Sequence, residues 1–305
     1  MDAASLLSQA SGDLLADRRY AYAHAAAAAG DHAAAAEILD QALERAPAWA
    51  AAWLALGEAR LALGEVDAAI AALNRAVALD ASDRLGAGLR LARLAGSRPA
   101  SAPESYVQTL FDHYAPRFET HLTQSLHYRG PALLADRIER IAPDTRFRHV
   151  IDLGCGTGLC GLRFRSLAAT LVGIDLSPAM IEEARRKHLY DALIVAPIEA
   201  ALLAMEEESV SLLLAADVLV YIGDLAPLFS AAGRVLAAGS LFAFTLQQGT
   251  DAYTLGADLR FAHAPDYIRR VAQDAGLSIA LLEPAKVRDD EGAQGIGLVV
   301  VAGRA

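Results

Sequence analysis

From Arg148 onward, short apolar runs alternate with stretches of helical character. HVIDL, TLVGID, ALIVA, SLLLAADV, LFAFTL, LSIALLE and IGLVVVA have the length of strands and are bounded by turn residues. Near-continuous apolar strands separated by helices predict a mostly parallel sheet with helices on both faces. A polar loop rather than a helix separates the last two runs, so these should pair antiparallel at one edge. The first 96 residues differ: Ala- and Leu-rich helical stretches follow one another.

That helical part matches itself at an offset of 34 residues, aligning Gly30 with Gly64, Ala35 with Ala69, Leu39 with Leu73 and Ala42 with Ala76. In the second copy Trp53, Leu56 and Gly57 share a helix that turns at Gly64 into another. Gly57, Ala69 and Ala76 are small where paired helices must cross closely. These residues resemble the tetratricopeptide repeat. Asp83 to Leu94 is expected to close the array. SRPASAPES then interrupts the helices with two prolines and small polar residues. The expected organisation is therefore tetratricopeptide-like repeats over 1–96, a linker over 97–105 and a second domain over 106–305.

Composition narrows the function. The net charge of -10 is dispersed, which disfavours nucleic acid as a partner, because phosphate binding needs a basic surface. Cys155 and Cys160 have no second pair, so neither a metal site nor a disulfide framework is expected. The N-terminal decapeptide lacks a basic region, and Leu212 to Ile222 is too short to cross a bilayer. A cytoplasmic protein without membrane contact is expected.

VIDLGCGTG leads from an apolar strand into Gly154, Gly156 and Gly158, where missing side chains permit a tight turn and the close approach of a ligand. Asp152 precedes the first of these glycines. Asp175 ends the next strand about 20 residues on, where a carboxylate takes both ribose hydroxyls. Gly156, Gly158 and Gly161 also fit the G-x-G-x-x-G spacing of dinucleotide enzymes. A pyrophosphate requires a loop free of negative charge, whereas Asp152 suits a cationic amine. An amino-acid-bearing nucleoside is favoured over a nicotinamide dinucleotide.

On these residues the chain from about position 104 to its end resembles class I S-adenosylmethionine-dependent methyltransferases. The resemblance implies a Rossmann-like, seven-stranded, mostly parallel sheet and S-adenosylmethionine as cofactor. It implies methyl transfer to an O, N or S acceptor on a small molecule or protein. It further implies that the backbone of Gly154, Cys155 and Gly156 lies against the methionine part, that Asp175 binds the ribose, and that Leu176 and Met180 flank the adenine. Such enzymes often carry an acid and then an apolar residue after the third strand. Here Ala196-Pro197-Ile198-Glu199 lacks that acid, leaving Ile198 as the apolar contact.

By the same resemblance, Asp217 and Tyr221 after the fourth strand face the meeting point of methyl group and acceptor; the alternative for Asp217 is a helix cap, a role that can coexist with the first. The segment has no Asn/Asp-Pro-Pro-aromatic sequence of the kind that grips planar amines. Phe111 to Pro131 has the look of a helical cover. Tyr114, Phe118 and His121 share a helical face there; Tyr114 is a candidate to close over the cofactor and Arg129 to meet the methionine carboxylate, the alternative being a packing stripe, the favoured role of Phe118, with a solvated arginine. Arg260, His263 and Tyr267 lie between the fifth and sixth strands. His263 is a candidate base because it titrates near neutrality, its alternative role being a packed histidine. The repeats are expected to recruit a protein partner or mediate self-association. A competing reading is a repeat-based scaffold with a catalytically weak second domain.

Overall fold

A computed structural model of the chain describes residues 10–289 and 297–304. These fall into two compact units. One runs up to Ser97 and includes Pro103–His113; the other comprises Arg98–Ala102 and the chain from Tyr114 onward.

The first unit contains α1 (Leu14–Ala28), α2 (His32–Arg45), α3 (Ala50–Ala62), α4 (Val66–Leu79), α5 (Ala87–Leu94) and the start of α6 (Glu104–Thr120). Asp13 begins α1 by accepting from the Leu15 and Ala16 amides, and Asp31 accepts from Ala34 at the start of α2. The two hairpins turn at equivalent glycines, Gly30 and Gly64, both at positive φ. A Cβ on Gly57 would lie 2.8 Å from Leu73 Cγ, which explains the small residue at this crossing. Leu39, Leu54, Leu73 and Tyr20 fill the core, and the Tyr20 ring sits 4.5 Å from that of Trp49. The closing helix begins at Ala87, later than expected, because Asp83 turns back to accept from the Gly88 amide. An ion pair between Arg90 and Glu58 fastens α5 to α3.

The second unit continues α6 through a π turn (His121–Ser125) to α7 (Gly130–Ile141). Strands and helices then alternate: β1 (Phe147–Leu153), α8 (Leu159–Phe164), β2 (Ala168–Asp175), α9 (Pro178–Arg186), β3 (Ala192–Val195), α10 (Ile198–Leu203), β4 (Val210–Ala215), α11 (Ala226–Val235) and β5 (Leu236–Gln248). After β5 come β6 (Tyr253–Leu255), β7 (Phe261–His263), α12 (Pro265–Asp274), β8 (Leu277–Ala285) and β9 (Gly297–Arg304). All seven apolar runs contribute strands. Among the described residues the sheet has nine, because β6 and β7 form a short antiparallel pair attached to the end of β5. Three residues each give these strands no readable period.

Strands β3, β2, β1, β4 and β5 are parallel neighbours in that order, and β9 pairs antiparallel with both β5 and β8. Val150, Ile151 and Leu153 of β1 and Leu212–Leu214 of β4 are fully buried. One apolar layer lies on each face of the sheet. Strand order reverses at β1, so the loops after β1 and β4 diverge and open a crevice at the strand ends. Residues 98–102, a linker by composition, bond to the loop after β4. Ala102 N–H donates to Tyr221 O at 2.9 Å, and the Gly223 and Asp224 amides donate to Ala100 O at 2.8 Å. No helix among the described residues is long and apolar enough to cross a membrane.

Both tryptophans, Trp49 and Trp53, lie in the first unit. Leu73→Ala is expected to lower that unit's stability by about 2–4 kcal/mol through cavity formation. Tryptophan fluorescence in urea should therefore show an earlier midpoint, while Phe242→Ala in the sheet leaves it unmoved.

Candidate active site

At the end of β1 the backbone turns through Gly154 at φ +63°. A Cβ there would lie 2.4 Å from Val218 Cγ2, so only glycine lets the loop pass beneath the segment after β4. Asp175, at the end of β2, holds the loop in place. Its Oδ2 accepts from the Gly156 amide at 2.8 Å, and its Oδ1 accepts from the Ser177 amide at 2.9 Å. Ser177 Oγ in turn caps α9 by accepting from Met180 N–H.

The cofactor candidates divide by exposure. Leu176 and Ile198 are half-buried beside the crevice, whereas Met180 is fully buried and supports α9 from beneath. The Cys155 side chain is also buried, and its amide donates to Ile174 O. Asp152 is 1% exposed, and its Oδ2 accepts from the Tyr190 hydroxyl at 2.6 Å. Burial pushes its carboxyl up to about 7, against the hydrogen bond from Tyr190. In this arrangement Asp152 braces the strand end beneath the loop. Arg129 is exposed just before α7, with its amide donating to Val287 O.

The far side of the crevice is rich in charge. Asp217 takes a left-handed conformation at φ +61°, its amide donating to Thr245 Oγ1. Its Oδ2 pairs at 2.6 Å with Arg288, whose side chain is only 8% exposed. Asp217 thus caps no helix; it anchors a buried guanidinium. Tyr221 is buried, and the Arg260 guanidinium lies 5.8 Å from its ring centre. Burial works against the Arg260 charge, but Tyr221, Asp217 and Asp258 outweigh it and hold the group protonated. Among the described residues no carboxylate forms an ion pair with Arg260. Burial raises both Tyr221 and Tyr114, with Arg260 opposing. Tyr114 packs edge-on to Phe118 and bonds to His121.

His263 lies elsewhere. It is fully buried on β7, with Nε2 3.0 Å from Gly223 O and its ring stacked on Tyr267. Burial lowers it to about 4. The geometry assigns it to holding the loop that carries Tyr221, in place of the expected general base. Tyr190, Arg288 and Glu119 were not marked by any motif. Glu119 Oε2 accepts from Thr157 and from Lys187, at 3.3 and 2.5 Å, joining α6 to the glycine loop. Their signal is tertiary: each acts on residues distant in sequence.

A methyltransferase-domain family model matches residues 151–244, and a tetratricopeptide-repeat model matches residues 26–94. Malonyl-[acyl-carrier protein] O-methyltransferase from Enterobacter lignolyticus is 30% identical over 184 residues, covering 56% of this chain and 67% of that protein. The chain belongs to the S-adenosylmethionine-dependent methyltransferases. The Salmonella typhimurium protein of the same name is 27% identical over 152 residues, covering 50% of this chain and 57% of its own length. The fold is shared with 1,6-didemethyltoxoflavin-N1-methyltransferase from Burkholderia thailandensis, at TM-score 0.53 and 14% identity over 68% of this chain and 92% of that one.

The residues of this methyltransferase fit its cofactor, S-adenosylmethionine. The turn at Gly154–Gly156, two glycines about a cysteine whose side chain is buried, admits close approach, and the carboxylate at the end of β2 suits a diol. Among the described residues no group of three potential ligands forms a metal site.

His263 titrates lower in the folded protein than in the unfolded chain. Between pH 6.5 and about 4 only the unfolded chain gains a proton, so stability falls as pH falls. His263→Gln removes this term. The difference in unfolding free energy between wild type and variant should shift by roughly 3 kcal/mol across that window, measured by denaturant titration at pH 4 and pH 7.

Proposed function

We propose that this enzyme methylates a carboxylate oxygen, with the acid held at Arg260 between Tyr221 and Tyr114. The observation that carries the reading is a half-buried guanidinium in a site whose candidate bases are engaged. His263 is enclosed, Asp217 pairs with Arg288, and both tyrosines are pushed toward their protonated forms. An alcohol or ammonium acceptor must lose a proton on reaction. A carboxylate arrives ionised and needs no base.

When bound, S-adenosylmethionine supplies an electrophilic methyl group on a sulfonium. The chain's residues hold the reactants collinear and exclude water. Gly154, Cys155 and Gly156 present backbone to the methionine part, Asp175 takes the ribose hydroxyls, and Leu176 and Ile198 flank the adenine. Tyr114 and Phe118 cover the site, and Arg129 faces the methionine carboxylate from the rim. A carboxylate oxygen forms the new C–O bond as the C–S bond breaks, giving a methyl ester and a neutral thioether.

The relatives' name points to an acyl chain ending in a free carboxylate and borne on a carrier. The repeats offer a surface for such a protein partner. Two reduced thiols accord with a cytoplasmic setting.

A malonyl thioester of N-acetylcysteamine with labelled cofactor tests the proposal. With cofactor saturating and initial rates measured, wild type should form the methyl ester at a rate flat from pH 6 to 8, where the acid stays ionised. Arg260→Ala should raise KM for the thioester by roughly 10- to 100-fold, with cofactor affinity within about twofold and partial recovery in Arg260→Lys. Unchanged KM in Arg260→Ala, or equal turnover of the neutral methyl ester, would sink it.

A further inference from the structure

Tyr190 sits between α9 and β3 and belongs to no motif. Its hydroxyl donates to Asp152 Oδ2 at 2.6 Å and accepts from the Gly161 amide at 3.1 Å. Its ring occupies space left by three glycines. A Cβ on Gly161 would come within 2.8 Å of it, one on Gly173 within 3.0 Å, and one on Gly158 within 3.1 Å. These glycines lie in the loop, on α8 and on β2, yet all face the same side chain. Gly158 and Gly161 of the G-x-G-x-x-G spacing therefore make room for a tyrosine, and the overlap with the dinucleotide pattern has a packing cause.

The loop is thus gripped at two points. Asp175 holds it at Gly156, and Tyr190 with Asp152 holds it at Gly161. We infer that Tyr190 is a positioning residue for the cofactor loop, fixing residues 156–161 so that Asp175 stays set for the ribose, with Asp152 beneath as a charge that bears on the cofactor. This rests on the reading that Asp175 and the loop bind S-adenosylmethionine.

The groups facing Asp152 are Tyr190 from the turn before β3, Cys160 from α8, Cys155 from the loop, Asp175 from β2 and Tyr128 from before α7. None is a cation. Ionised Asp152 is therefore an uncompensated negative charge in a low-dielectric setting, and it favours a cationic ligand. S-adenosylmethionine carries a sulfonium that S-adenosylhomocysteine lacks, while amine and carboxylate are common to both. The ratio of their affinities isolates the field of Asp152. Since burial sets Asp152 to about 7, the preference for S-adenosylmethionine should strengthen as pH rises through neutrality.

Calorimetry of both ligands from pH 6 to 8.5 on the full chain tests the inference. Wild type should show the affinity ratio shifting by about three- to tenfold toward S-adenosylmethionine. Asp152→Asn keeps an acceptor for the Tyr190 hydroxyl and should give a flat ratio. Tyr190→Phe removes a bond that favours the carboxylate, so its inflection should move to higher pH while both ligands weaken about tenfold. A wild-type ratio flat with pH, or Tyr190→Phe with unchanged affinities and inflection, overturns the inference. If Tyr190→Phe does not fold, Asp152→Asn decides: a pH-dependent ratio persisting in it also overturns the inference. Asp175→Ala separates the underlying reading, because its undiminished binding of S-adenosylmethionine would remove that reading alone.

Discussion

The carboxylate of Asp175 joins the two strand ends on which the cofactor side of this enzyme depends. Strand β1 must stop and turn sharply for the crevice to exist, and a turn through residues without side chains has little to hold it. One oxygen of Asp175 fixes Gly156 and the other fixes Ser177, which starts α9. A single side chain therefore sets the path of the loop after β1 and the origin of the helix after β2. Its lining of the crevice follows from the parallel register that sets Asp175 beside Val195 and Ile174 beside Leu153.

The side of the crevice proposed for the acceptor is organised by a different constraint, the enclosure of one guanidinium and the partial burial of another. Arg288 is neutralised by Asp217, which explains why that aspartate occupies a left-handed conformation outside any helix. Arg260 has tyrosines around it and acids only at longer range, so its field is less fully cancelled where a ligand would sit. Pairing one arginine tightly and the other loosely gives the crevice a net positive point. This happens within a chain of net charge -10, and overall charge therefore says little about the local partner.

Sequence legibility follows the range of the interactions. The seven core strands, the repeat crossing at Gly57 and the acid at the end of β2 were readable, because each is fixed by local period or by a short motif. Asp152 was readable as important but not in its role, since its partner Tyr190 lies on another element 38 residues away. Met180 followed family position onto a helix whose buried face it occupies. His263 had the right chemistry for a base and the wrong surroundings. No spacing rule links it to Gly223, and only the packed sheet shows that its ring is enclosed.

Residues 98–102 carry this lesson furthest. Pro99 among the small residues Ala100, Ser101 and Ala102 has the composition of a linker, and composition is silent about where backbone hydrogen bonds go. Here they go to the loop that presents Tyr221, and His263 grips the same loop at Gly223 O. A Cβ on Gly223 would come within 2.7 Å of Pro99 O, so the fit leaves no slack. The loop bearing Tyr221 is thereby held between a packed histidine and a short extended segment. The position of Tyr221 beside Arg260 depends on a segment that reads as a linker and on a histidine that reads as a base, both acting on the loop through hydrogen bonds.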